Sequence, residues 1–170
     1  MKKVLVLGLH GVATNNLGER IGSAKVGKDV VASSMKLRGF YHTSFAKPIY
    51  QVASDVYGID VTDLSEYDKD ERVYEPWGKT LRQILQGVGG AFRSIDEDFF
   101  LKWMAKDIAD NTEGYEGIVI SDVRFDNEAE FIRNLGGQIV HVRREIDDLE
   151  NYNVQPDISE AGVQRTVDDI

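Results

Sequence analysis

The sequence predicts an α/β fold in which a parallel sheet carries helices on both faces. Three observations lead there. Short continuous apolar runs have strand length, amphipathic stripes at helical spacing lie between them, and no hairpin turn joins one run to the next. The first run, residues 3–9, reads Lys-Val-Leu-Val-Leu-Gly-Leu, the composition of a strand buried on both sides. Residues 41–45 form a weaker run, and residues 117–122 and 138–142 form strong ones. Ile49, Val52, Ala53, Val56 and Tyr57 make a helical stripe that stops at Gly58. Leu81, Ile84, Leu85 and Val88 repeat the spacing up to Gly89-Gly90. Phe100, Trp103, Met104 and Ile108 make a third stripe, and Ala129, Ile132 and Leu135 a fourth that stops at Gly136. Val30, Val31, Ala32 and Met35 supply the apolar side of a further helix. Strands alternating with helices imply crossover connections.

Of the 170 residues, 20 are Lys or Arg and 29 are Asp or Glu, a formal net charge of −9. The length suits one domain spanning residues 1–170, with ample material for a hydrophobic core. The acidic balance argues against general nucleic-acid binding, which needs a basic surface. It leaves room for a mononucleotide site, which needs only a few local cations. With no cysteine, disulfides, thiolate-ligated zinc and thiol catalysis are excluded. No apolar run is long enough to span a membrane and no leader pattern follows Met1, so the expected compartment is the cytoplasm. Residues 145–170 are rich in Asp and Glu, carry no core stripe, and read as a solvated or partly ordered end.

Residues 22–29, Gly-Ser-Ala-Lys-Val-Gly-Lys-Asp, match the phosphate-loop pattern Gly-x-x-x-x-Gly-Lys, with Asp29 where Ser or Thr is usual. Glycines let successive backbone N–H groups turn inward around phosphate oxygens, and the following helix presents its positive N-terminal end. Lys28 then reaches the β- and γ-phosphates of a nucleotide as a point charge. Such a loop ordinarily follows the first strand directly, whereas twelve residues separate Leu9 from Gly22. A second phasing begins the loop at Gly11-Val12-Ala13, finishes it at Lys25-Val26-Gly27-Lys28, and makes residues 14–24 an insertion. The candidate ATP-binding residues over both phasings are Gly11, Gly22, Gly27, Lys28, Asp29 and Val30. Asp29 takes Mg²⁺ through its carboxylate, holds a metal-bound water, or caps the helix, and the sequence leaves these open.

The run at residues 118–121 delivers Asp122 to the carboxyl end of a strand, where open parallel sheets bind ligands. An acidic residue there is placed to hold Mg²⁺ or its waters, and Arg124 stands two residues on. A structural ion pair between the two is the alternative. Arg82 and Gln86 share one face of the Leu81 helix, opposite its apolar stripe, and Arg93 follows the Gly89-Gly90 break. Guanidinium forks match phosphate geometry, and a Gln amide reads a base edge. Arg143-Arg144 ends the last run, where cations clamp a transferring phosphoryl group. His10, His42 and His141 lack ligand spacing and read as strand-end or packing residues, and Trp77 and Trp103 read as core.

Gly27-Lys28-Asp29, Ser44-Phe45-Ala46-Lys47-Pro48, residues 80–89 (Thr-Leu-Arg-Gln-Ile-Leu-Gln-Gly-Val-Gly) and residues 121–128 (Ser-Asp-Val-Arg-Phe-Asp-Asn-Glu) occur in this order. In these motifs the chain resembles the deoxynucleoside monophosphate kinases of tailed bacteriophages, over residues 1–165. The resemblance implies a P-loop kinase fold that moves the γ-phosphate of ATP to a deoxynucleoside 5′-monophosphate with Mg²⁺, giving the diphosphate and ADP. It implies that Lys28 holds ATP phosphates and that Asp122 and Arg124 lie beside the reacting phosphates. By the same resemblance Ser44, Phe45 and Pro48 border the monophosphate pocket, Arg82 and Gln86 contact phosphate and base, and Arg143 belongs to a mobile clamp. A homodimer in the cytoplasm, that of a host cell if phage-encoded, is the family-level expectation. Residues 157–160 read Asp-Ile-Ser-Glu where the family tends to show His-x-Ser-Glu. The rival readings are a small-metabolite P-loop kinase, a nucleotide-binding protein without turnover, and an acidic interaction protein on the same scaffold.

Overall fold

A computed structural model describes residues 5–14, 17, 20–22, 27–62 and 64–145. In chain order the elements are β1 (Leu5–Thr14), β2 (Arg20–Gly22), α1 (Lys28–Leu37), β3 (Phe40–Thr43), α2 (Lys47–Asp55) and α3 (Glu66–Asp70). There follow β4 (Val73–Tyr74), β5 (Lys79–Thr80), α4 (Leu81–Ile95), α5 (Phe99–Asn111), β6 (Gly117–Ile120), α6 (Asp126–Asn134) and β7 (Gln138–Glu145). The chain forms two compact units, unit 1 being Met1–Ser44 with Asp107–Ile170 and unit 2 Phe45–Lys106.

Unit 1 is built on a five-stranded sheet in which β7, β1, β6 and β3 run parallel in that order. This mixed α/β architecture, with its mostly parallel sheet, is that of a P-loop kinase fold. Successive strand residues face opposite sides, and both sides of β1 are covered. Leu9 packs with Ala32 of α1 and Val119 of β6 on one face. On the other, Gly8 lies so close to Ile132 of α6 that an added Cβ would sit 2.6 Å from its Cδ1. A side chain at Gly8 would therefore force the Ile132 and Ile139 side chains to shift. Asp107, near the end of α5, is buried and accepts hydrogen bonds from Tyr41 (3.0 Å), Thr43 (2.7 Å) and Asn111 (3.2 Å). Those bonds offset the cost of burying a carboxylate and hold the end of α5 on β3.

The first strand is longer than its apolar run. β1 continues through Gly11 to Thr14 because β7 pairs alongside it in register from Leu7↔Gln138 to Thr14↔Glu145. Its last residues also meet β2, antiparallel, through Ala13↔Gly22 and Thr14↔Arg20. The expected insertion at residues 14–24 thus contains the end of β1 and all of β2, while its other residues except Leu17 lie outside the described residues. So do all but the first residue of the acidic segment 145–170, including the 157–160 motif.

Unit 2 is helical with one small hairpin, β4–β5. Its core gathers Ala53 of α2, Ile59, and Leu81 and Ile84 of α4. The expected break at Gly89-Gly90 does not occur, and α4 runs on to Ile95. Each helical glycine costs about 1 kcal/mol relative to alanine. That cost is outweighed because Phe92, continuing the stripe one turn after Val88, stacks on Phe99 with ring centroids 4.4 Å apart. Thr80 caps α4 reciprocally with Gln83, its Oγ1 accepting from the Gln83 amide (3.3 Å) and its amide donating to Gln83 Oε1 (3.0 Å).

The short helix α3 is capped in the same way. The Ser65 hydroxyl, then its amide, and Arg72 donate to Asp68 and hold that carboxyl below its ordinary value of 3.8. The charged form of Asp68 is favoured in the fold, so its contribution is present above pH 3.8 and fades as pH falls through the lowered value. Ser65→Ala is expected to move the Asp68 titration upward toward 3.8 in an NMR pH series. An unmoved midpoint would show that the hydroxyl is not its main support.

Candidate active site

Two segments of unit 1 carry most of the expected phosphate chemistry. Gly27 is the N-cap of α1 with φ 93° and ψ 17°, a left-handed conformation that L side chains rarely adopt. Its carbonyl accepts from Val30 (3.1 Å) and Val31 (3.3 Å), which starts the helix. Lys28 is therefore the first helical residue and is half-buried, while Asp29 lies exposed in the first turn, where its charge complements the helix dipole. Since β1 and β3 run parallel and α1 connects them, α1 starts at the carboxyl edge of the sheet. Val30, expected on the apolar side of α1, is instead 74% exposed; Ala32, Val31 and Met35 make that side.

Of the two loop phasings, the one starting at Gly11 is corrected. Gly11 is buried within β1 opposite Val142, so its backbone belongs to a strand ladder and not to a turn around phosphate. Gly22 ends β2, which leaves residues 23–26, outside the described residues, to lead into Gly27 and Lys28.

The second segment follows β6. The Ser121 amide donates to the Thr43 carbonyl (3.2 Å), and its hydroxyl bonds His42 Nε2 (2.9 Å). The Val123 amide donates to Leu9 O (3.2 Å), and the Val123 carbonyl lies 3.1 Å from His10 Nδ1. A carbonyl only accepts, so His10 carries its proton on Nδ1. The amides of Arg124 (2.8 Å) and Phe125 (3.1 Å) both donate to Glu128 Oε2, three to four residues into the turn that starts α6. Asp122 and Arg124, both half-buried, are thus carried on a backbone pinned to β3, β1 and α6. His10 is fully buried and meets His141 edge-on at 5.2 Å, the packing role expected of both. Arg143 is exposed on β7 opposite Val12, and Ser44 is half-buried just after β3.

The remaining expected residues lie in unit 2. Phe45 is buried at 3% exposure, and Pro48 is buried in the first turn of α2, where its missing N–H costs nothing. Arg82 forms a two-pronged ion pair with Asp70, through Nε to Oδ1 and Nη2 to Oδ2 (3.2 Å). Gln86 is exposed one turn on. Arg93 sits in the last turn of α4, not after a break, with its guanidinium 4.6 Å from the Phe100 ring centroid. Trp77 is not core. It is 44% exposed, whereas Trp103 is half-buried with the Lys47 ammonium over its ring at 5.7 Å.

Sequence reasoning missed Glu128, Asp70 and Asp107 as organisers of these segments. Glu128 had a signal, a Glu at the third position of a helix, which is the capping-box place. Asp70, twelve residues from Arg82, had none. Among the described residues no group of three or more His, Asp or Glu side chains gathers as a metal site. Of the two expected metal ligands, Asp29 is exposed and Asp122 half-buried; a kinase Mg²⁺ is commonly held through one or two carboxylates together with substrate phosphates. No helix among the described residues is long and apolar enough to cross a membrane.

The comparisons with known proteins agree with this architecture. A family model described as deoxynucleotide monophosphate kinase matches residues 69–170. A protein of Acanthamoeba polyphaga mimivirus, named "Putative deoxynucleotide monophosphate kinase", is 31% identical over 142 residues, covering 73% of this chain and 72% of that protein. The chain belongs to the deoxynucleotide monophosphate kinase family, phosphotransferases that act on deoxynucleoside monophosphates.

Proposed function

We propose that the protein transfers the γ-phosphate of ATP to a deoxynucleoside 5′-monophosphate, with Mg²⁺, giving the diphosphate and ADP. The observation that supports the donor half is that Gly27-Lys28 at the start of α1 and the pinned Asp122 segment after β6 both lie at the carboxyl edge of the parallel sheet. An oxygen of the monophosphate attacks the γ-phosphorus as the bond to the β-phosphate oxygen breaks, and ADP leaves. Lys28 neutralises charge on the donor phosphates, and Gly27 and Asp29 shape the helix start beside it. Asp122, with Asp29, is the carboxylate set suited to Mg²⁺, which when bound neutralises phosphate charge. Arg124 and Arg143 stabilise the equatorial oxygens of the transferring group. Within unit 2, Arg82 holds the acceptor phosphate, oriented for it by Asp70, and Gln86 reads the base. Arg93 adds positive charge, Phe45 and Pro48 shape the acceptor pocket, and Ser44 directly precedes them in the chain.

The experiment incubates the protein with ATP, Mg²⁺ and each common deoxynucleoside monophosphate in turn, and resolves the nucleotides chromatographically. Diphosphate in step with ADP, abolished by EDTA and restored by Mg²⁺, is the expected result. ATP bound calorimetrically without product from any acceptor, in folded protein, would favour a binding protein instead. Arg82→Lys keeps the charge and loses the fork, so the acceptor KM should rise on the order of tenfold with a smaller change in kcat. An unchanged KM would remove Arg82 from the acceptor pocket.

A further inference from the structure

Unit 2 contains a cavity of about 400 Å³ that the roles above leave unused. Tyr57, Trp77, Lys79, Gln83, Ile84 and Gly87 are among its lining residues. The volume falls within the range of about 300–1,000 Å³ found for small-molecule sites. It lies on a different face of α4 from the acceptor residues. At 100° per residue, Gln83 stands about 100° around the helix from Arg82 and Gly87 about 100° from Gln86, while Gln83 and Gln86 are about 60° apart, so the two faces adjoin, and Arg82 is turned to Asp70.

The lining has a definite chemistry. The Trp77 indole N–H donates to the Tyr57 carbonyl at 3.2 Å, and the two rings meet edge-on with centroids 4.9 Å apart. An exposed tryptophan is thereby held in one place, which makes its ring a prepared surface for a planar group. Gln83 commits its amide oxygen to the Thr80 N–H, so what it offers a ligand is its NH₂ group. Lys79 is exposed and makes no ion pair among the described residues. At Gly87 an added Cβ would meet nothing within 4 Å, so the helix surface there is open space.

A ring surface, one amide donor and a single ammonium match a planar heterocycle with one phosphate; a triphosphate would call for more cations. We propose that this cavity is a second nucleotide site, taking a nucleoside monophosphate independently of the acceptor residues on the Arg82 face of α4.

The chain has two tryptophans, so Trp103→Phe leaves Trp77 as the sole tryptophan, read selectively over the tyrosines by red-edge excitation. That protein is titrated with each deoxynucleoside monophosphate, the matching nucleosides and inorganic phosphate, and folding is checked by circular dichroism. A saturable change in Trp77 emission is expected with a monophosphate. Binding should weaken roughly tenfold for the nucleoside and in Lys79→Ala, where one charge-assisted contact is lost. It should disappear in Gly87→Leu, whose side chain projects into the space beside the Trp77 ring and Gln83, and persist in Gln86→Ala and Arg82→Lys. No saturable change with any monophosphate would overturn the proposal, as would binding that survives Gly87→Leu. Equal weakening in Gln86→Ala and Arg82→Lys would also overturn it, by identifying the cavity with the acceptor pocket. All arms read equilibrium binding, so their outcome does not depend on turnover.

Discussion

Lys28→Ala is expected to lower phosphoryl transfer by roughly 10²–10³-fold, the loss typical when one preorganised charge-stabilising group is removed from a developing anion. The fold should survive. Lys28 is the first residue of α1, only half-buried, and the helix is started by the Gly27 carbonyl rather than by the lysine side chain. Alanine is also the better helix former. Thermal unfolding should therefore shift by little while kcat collapses. Lys28→Arg keeps the charge but replaces a compact ammonium with a planar fork, and should recover only part of the rate. Near-normal turnover in the alanine variant would remove Lys28 from the reaction.

Glu128→Ala should be the most damaging single change outside the phosphate-contacting residues. The Glu128 carboxylate is 4% exposed, and one of its oxygens accepts both the Arg124 and Phe125 amides. Truncation leaves two backbone donors unsatisfied near the start of α6, at about 1–3 kcal/mol for each buried group. A net loss of about 2–4 kcal/mol is the reasonable sum, or roughly 5–15 °C in Tm for a chain of this size. Glu128→Gln keeps an acceptor oxygen without the charge and should lose about 1 kcal/mol. Because Glu128 positions the segment bearing Asp122 and Arg124, kcat should fall in the alanine variant and recover largely in the glutamine one. Denaturant melts and steady-state rates read both effects. A stable and fully active alanine variant would show that the segment is held without its cap.

The parallel sheet was legible because its strands are short apolar runs whose flanks carry helical periodicity. That signal is local. The extension of β1 was not legible, since Gly11 and Ala13 are poor strand formers on their own and interrupt the apolar run. They are drawn into the sheet by β7, more than a hundred residues away. The Gly89-Gly90 stop failed for a related reason, because the stacking of Phe92 on Phe99 outweighs a local preference. At the site, positions were easier to read than relations. Gly27, Lys28, Asp122 and Arg124 were visible as motif residues, while the Asp70 partner of Arg82 and the buried Asp107 cluster arise from tertiary contacts with no spacing signature. Trp77 shows the same limit. Its large apolar side chain suggested core, but the β4–β5 turn holds it at the mouth of a cavity through a bond to Tyr57.

The most direct test of phosphoryl transfer follows the phosphate itself. The protein is given ATP labelled at the γ-phosphorus, Mg²⁺ and one deoxynucleoside monophosphate, and the label is located after a single turnover. The account predicts that it appears as the β-phosphate of the deoxynucleoside diphosphate, one for each ADP formed, and that Lys28→Ala slows its appearance by roughly 10²–10³-fold. Label released as inorganic phosphate, or label that stays in ATP with every acceptor in demonstrably folded protein, would contradict it.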